Sequence, residues 1–192
     1  MPNETLPPRD RIVATALRLF NEQGTLTTGI DQIIAESGVA KRTFYHHFPS
    51  KAALLAEFLQ RRDAIWRARV ARHTGDAAQP PLDRVLGLFD ALKEWFNEPD
   101  FFGCSFIRGL ADFGASPEPK LLAFVQEHFA HNAAHLAALL QEVRPRDHEA
   151  FVPQIASLLC GATVMAHVTH DPGIAEVTKE MARTLLTRPA GG

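Results

Sequence analysis

Gly38-Val39-Ala40-Lys41-Arg42-Thr43-Phe44-Tyr45-His46-His47-Phe48-Pro49-Ser50-Lys51, or GVAKRTFYHHFPSK, crowds basic, hydroxyl and aromatic side chains between a glycine and a proline. The segment from about Ala40 to His46 is too short and too polar to hold itself as a core helix. Phe44 is its only firm apolar anchor, with Val39 leading in and Phe48 following. Upstream, Ile12, Val13, Ala16, Leu17, Leu19 and Phe20 recur at helical spacing and stop at Gly24. Thr27-Thr28 is expected to cap a second helix whose inner face is Ile30, Ile33 and Ile34, broken at Ser37-Gly38. Downstream, Ser50 is the expected N-cap of a fourth helix running through Leu54, Leu55, Phe58, Leu59, Ile65 and Trp66 to about Arg72. Three short helices with a Ser-Gly turn before the third form a helix-turn-helix.

The third helix has the chemistry of a recognition helix. Lysine and arginine neutralise phosphate charge, and arginine also pairs with guanine edges. Threonine and tyrosine hydroxyls donate to phosphate oxygens. Lys51 adds a cation where free backbone N–H groups already favour an anion. The competing reading is a solvated charged face around one core phenylalanine; the setting after a turn favours DNA.

Residues 9–59 resemble the DNA-binding domain of the TetR family of bacterial transcription regulators (TetR/AcrR type). The resemblance lies in Ile12, Ala16, Leu19, Phe20 and Gly24, in Thr28, Ile30, Ile33, Gly38 and Val39, and in Thr43, Phe44, Tyr45, His46, Phe48, Lys51 and Leu54. It implies an all-α homodimer with an N-terminal helix-turn-helix head and a C-terminal helical body for ligand binding and dimerisation. Such a dimer binds double-stranded, palindromic operator DNA, usually as a repressor released by a small molecule. Carried over position by position, Thr28, Tyr45, His46 and Lys51 fall where phosphates are held, and Lys41, Arg42 and Thr43 where bases are read. Three positions depart from the family pattern. Gly29 replaces a usual Ser or Thr, Ile34 a usual small Ala, and Arg42 a frequent Gly.

The chain has 192 residues and a formal charge of -2. That sum hides an asymmetry. Residues 1–73 hold 11 Lys and Arg against 7 Asp and Glu, whereas residues 74–192 hold 9 against 15. A positive first third on an acidic remainder suits a nucleic-acid-binding head on a non-binding body. No apolar run approaches the roughly 20 residues that span a bilayer, and MPNETLPPRDR has no signal-peptide core, so the expected location is cytoplasmic, without a membrane partner. Cys104 and Cys160 each sit in apolar runs and are read as buried reduced thiols. The expected division is a head over 1–50 with a loose arm over 1–8, a connecting helix over 51–73 and a body over 74–192. Proline-bearing separators divide the body into five helices, near Leu82–Asn97, Gly103–Gly114, Glu118–Val143, Asp147–His170 and Ile174–Thr187, about nine helices in all.

Aromatic residues are dense in the body. Trp66, Phe89, Trp95, Phe96, Phe102, Cys104, Phe106 and Phe124, with His128 and His131, serve either as core or as walls of a site for a largely apolar inducer. His128, His131 and His135 fall at helical spacing on one flank, either as a polar edge of that site or as a solvated or interface flank, a chelating i, i+4 pair of His131 and His135 being the third and least favoured reading. His128 and His135 are about 10 Å apart along the axis, too far to share a metal easily. No metal or cofactor is expected. The run IASLLCGATVMAHV is apolar nearly all round, so it needs cover on several sides. Ile155, Leu158, Leu159, Gly161, Ala162 and Met165 are the expected dimer contacts, a central core helix being the alternative. No nucleophile elbow, P-loop, dinucleotide fingerprint or His-Glu-x-x-His occurs, so an enzyme is not expected. The alternatives are a regulator responding to thiol oxidation at Cys104 or Cys160 and a helical interaction protein without DNA binding.

Overall fold

A computed structural model describes residues 6–112 and 118–188. Part of the expected N-terminal arm, Phe113 and Gly114, the Ser116-Pro117 separator and the Pro-Ala-Gly-Gly tail lie outside the described residues. Among the described residues there are nine helices and no strand. They are α1 (Pro8–Gln23), α2 (Ile30–Ser37), α3 (Lys41–His47), α4 (Lys51–Thr74), α5 (Pro81–Phe96), α6 (Ser105–Asp112), α7 (Pro119–Val143), α8 (His148–Thr169) and α9 (Ile174–Thr187).

The chain forms two compact units, Met1–Ala64 with Ser105–Gln126, and Ile65–Cys104 with Glu127–Gly192. The division differs from the one drawn from the sequence. It falls inside α4, and α6 with the start of α7 joins the helix-turn-helix. Side-chain contacts of α6 supply the reason. Asp112 accepts hydrogen bonds from Thr25 N–H at 3.0 Å and from Thr25 Oγ1 at 2.6 Å. Arg108 Nη1 donates to the Asn21 carbonyl at 2.8 Å.

In the first unit, α1 begins with proline at its opening position, where a missing N–H costs nothing. Its inner stripe of Ile12, Ala16, Leu19 and Phe20 is buried, and Phe20 meets Phe58 of α4 edge-on at 5.4 Å between ring centroids. The turn after α2 is made by Gly38 at φ 64, ψ 28, a left-handed conformation that glycine adopts without a Cβ clash. Ser50 caps α4 as expected, its Oγ accepting from the Ala53 N–H at 3.1 Å. Thr28 does not cap α2. The N-cap is Gly29, and the Thr28 hydroxyl donates back toward the carbonyls of Gly24 at 2.8 Å and Leu19 at 3.2 Å.

In the second unit, α5, α8 and α9 pack against one another around Val85, Leu86, Phe89, Leu92, Ile155, Ala162, Ala166, Ala182 and Leu186. Gly87 permits a close backbone approach, since a Cβ there would lie 2.2 Å from the His73 carbonyl oxygen. Two of the expected dimer contacts, Ile155 and Ala162, belong to this core, at 0% and 1% exposure, and cannot touch a partner. Leu158 and Leu159 are half-buried, while Gly161 and Met165 are exposed. The sequence reading missed that α8 alone among the described residues has the length and mean hydropathy, 1.5, to suit a bilayer. Its packing on α5 and α9 accounts for one side of that apolar surface.

The guanidinium of Arg69, almost fully buried, is bracketed by Glu94 at 3.2 Å and by Glu98. Arg72 and His73 also reach Glu94, at 2.5 and 2.7 Å. The hydrogen bond from His73, joined by Arg69 and Arg72, holds the Glu94 carboxyl down to about 2. A carboxylate with a lowered folded-state pKa contributes stability that is present above its unfolded value and is lost as pH falls through the folded one. Urea unfolding at stepped pH is therefore expected to show stability declining from about pH 4.5 toward pH 2. Glu94→Gln is expected to flatten that decline, and an unchanged slope would remove Glu94 as its source.

Candidate nucleic-acid interface

Phe44 decides how α3 faces. Its ring has no exposed surface and packs near Tyr45 at 5.3 Å and Phe48 at 6.3 Å between centroids. With Val39 and Phe48 also buried, one side of the seven-residue helix is committed to the interior. At about 100° per residue, Lys41, Tyr45, Arg42 and His46 then fall in order across one arc of about 140° on the other side. All four are exposed. A short helix thus presents two fixed cations, a phenol and an imidazole on one outward strip.

Lys41 Nζ lies 3.3 Å from Asp31 Oδ1, but both side chains are largely exposed, so the pair is weak and leaves the ammonium free to exchange partners. Arg9 bonds Glu57 at 2.6 Å and lies over the Phe48 ring at 5.4 Å, tying the start of α1 to α4 and to the end of α3. Lys51 is half-buried, and its Nζ reaches toward the Leu26 carbonyl at 3.5 Å. Burial pushes its ammonium below the ordinary lysine value while Asp112 pulls the other way.

The structure brings together Lys41, Arg42, Tyr45 and His46 from the set drawn from sequence. Thr43 is half-buried and lies off the strip, beyond His46. Thr28 is a correction. At 0% exposure, with its hydroxyl committed to carbonyls, it has no surface for a phosphate. Arg9, Asp31, Arg108 and Asp112 went unnoticed in the sequence. Their partners lie 10 to 87 residues away, so no short-range pattern could reveal them.

The aromatic set is divided between the two units. Phe106 and Phe124 belong to the first unit, and the rest to the second. Phe89 is fully buried core, His131 is exposed, and Phe102 and Cys104 are half-buried. The three histidines do not share one environment. His128 is buried beside Asn132 at 3.0 Å, and His135 meets Thr74 Oγ1 at 3.1 Å. Burial, with His131 and Arg84 nearby, pushes His135 below the ordinary histidine value.

The first unit is thus a helix-turn-helix module. Residues 12–58 match the family model for bacterial regulatory proteins of the tetR family. The chain is 37% identical over 87 residues to the transcriptional regulator LmrA of Bacillus subtilis, covering 45% of this chain and 44% of that protein. It is 31% identical over 94 residues to the transcriptional repressor KstR2 of Mycolicibacterium smegmatis, covering 48% and 45%. The chain therefore aligns with less than half the length of these curated relatives. A crystal structure of a TetR-family transcriptional regulator from Streptomyces coelicolor superposes with a TM-score of 0.85 at 27% identity, over 93% of this chain and 94% of that one. Residues 12–58 are thus a tetR-family DNA-binding segment, and the chain as a whole has the fold of a TetR-family regulator.

Selection of bound sequences from randomised duplexes separates the roles on the strip. Arg42→Ala is expected to change the preferred sequence, whereas Tyr45→Phe is expected to weaken binding about equally across sequences. An Arg42→Ala protein with unaltered preference would remove Arg42 from base reading.

Proposed function

We propose that the protein is a sequence-specific DNA-binding transcription regulator that acts as a homodimer and leaves its operator when a small molecule binds the C-terminal helical body. The observation that carries this reading is the outward strip of Lys41, Arg42, Tyr45 and His46, held by the buried Phe44. Repression is the assigned mode, in keeping with the relatives described as repressors. The protein works in the cytoplasm, with duplex DNA, a second copy of itself and a largely apolar inducer as its partners, and without a catalytic step.

An exposed apolar face on α8 and α9 supports the dimer. Gly161, Val164, Met165 and Val168 are exposed at helical spacing on α8, and Val177 and Met181 are exposed on α9. A monomer would leave this patch in water, and a Cβ at Gly161 would meet nothing within 4 Å among the described residues, leaving room for another helix to approach. Lys41, Lys51 and the helix strip then occur twice, so two half-sites one turn of DNA apart can be read together. Cys160, read from the sequence as buried, is exposed, but desolvation by its neighbours pushes its thiol above the ordinary value, which favours the unreactive form and gives no support to regulation by thiol oxidation.

Val168 is 67% exposed, so Val168→Glu changes the patch without disturbing the core. Sedimentation is expected to show a wild-type dimer and a folded Val168→Glu monomer. That monomer should bind a palindromic duplex at least tenfold more weakly in fluorescence anisotropy. A dimeric Val168→Glu protein, or a monomer with undiminished affinity, would refute the proposed assembly.

A further inference from the structure

Within the second unit, Trp66, Trp95, Phe96 and Phe101 form one aromatic cluster. Trp95 lies 5.6 Å from Trp66 and 5.1 Å from Phe101, and Phe96 lies 4.8 Å from Phe101, between ring centroids. The two indoles differ in one respect. Trp66 Nε1 donates to Asn132 Oδ1 at 3.1 Å, and Asn132 Nδ2 donates in turn to His128 Nε2 at 3.0 Å. Trp95 is only 8% exposed, and its Nε1–H has no hydrogen-bond partner among the described residues. A buried donor without an acceptor carries its desolvation cost uncompensated, and native proteins rarely leave one so without a reason.

A water molecule is a poor reason here. It needs two to four polar partners to be held, and the rings packed on Trp95, those of Trp66, Phe96 and Phe101, offer no polar atom beyond a Trp66 N–H already given to Asn132. An anion is also a poor fit, because none of the four aromatic side chains offers a counter-charge for an ion stripped of its hydration, and a cation, which ring faces can hold, brings no acceptor to the indole N–H. A neutral molecule with an apolar body and one oxygen acceptor satisfies both halves of the site. Its body lies against ring faces, and its oxygen accepts from the indole N–H. Phe101 belongs to the non-helical connection between α5 and α6, where a ring can swing without unwinding a helix.

We propose that Trp95 Nε1–H is the recognition donor for a neutral, largely apolar ligand bearing a carbonyl-type acceptor, such as a ketone, quinone or ester, taken up at the Trp66–Trp95–Phe101 cluster. The inference rests on reading the C-terminal body as ligand-binding and adds the chemical class of the ligand. Sites built around a hydrogen bond discriminate against analogues that lack the acceptor.

Two probes of nearly the same shape test it, 2-acetylnaphthalene with the carbonyl and 2-ethylnaphthalene without it. Calorimetric titration of the full-length protein is expected to show the ketone binding at least about fivefold more tightly. The protein has two tryptophans, so ¹⁵N-tryptophan labelling yields two indole signals, assigned with Trp95→Phe. In the free protein the Trp95 signal is expected upfield of the hydrogen-bonded Trp66 signal, and to move downfield with the ketone but not with the hydrocarbon. Equal affinity for the two probes, or a Trp95 signal that ignores the ketone, would overturn the acceptor assignment while leaving a ligand-binding body in place. Binding of neither probe up to its solubility limit would overturn the assignment and count against the ligand-binding reading as well.

Discussion

The burial of one phenyl ring, that of Phe44, governs the helix-turn-helix unit of this protein. A seven-residue helix is too short to be stable alone, because nucleation consumes most of what its few backbone hydrogen bonds return. Phe44 supplies tertiary anchoring at the cost of one position per two turns, and every other residue of α3 takes its direction from that ring. Lys41, Arg42, Tyr45 and His46 point outward because Phe44 points inward. The same constraint explains the neighbouring punctuation. Gly38 turns the chain tightly enough for Val39 and Phe44 to reach the core, and Pro49-Ser50 ends α3 so that α4 can start with its own cap.

A second constraint acts at the corner between α1 and α2. Thr25 and Asn21 are bonded by Asp112 and Arg108 of α6, while Thr28 turns its hydroxyl onto carbonyls of the same corner. The α1–α2 connection is therefore a polar, cross-linked corner. Gly29 opens α2 without a capping side chain, so the first N–H groups of that helix lack the usual side-chain acceptor.

Much of this was legible in the sequence, and the failures have a common cause. The helices of the head and body follow apolar periodicity and Gly, Pro and Ser punctuation, which are local signals, and Ser50 caps α4 where the pattern put it. Facing is a different matter. Ile155 and Gly161 look alike in a helix apolar nearly all round, and only packing against α5 and α9 decides that Ile155 turns inward and Gly161 outward. Thr28 reads equally well as a cap, a phosphate ligand or a buried hydroxyl until the Leu19 and Gly24 carbonyls are placed beside it. His128, His131 and His135 share a spacing but not an environment, because Asn132 and Thr74 select two of them. The unpaired indole of Trp95 was invisible for a stronger reason. A missing partner leaves no mark on a sequence.

The central claim is that the strip on α3 reads DNA. Its most direct test is the recovery of bound fragments from sheared bacterial genomic DNA at about physiological salt, with wild type beside an Arg42→Ala/Tyr45→Ala protein. Both residues are exposed, so the double variant retains the Phe44 anchor and should fold as wild type does. The predicted result is a palindromic motif enriched by wild type and absent with the variant. Enrichment of the same motif by both proteins would contradict the account.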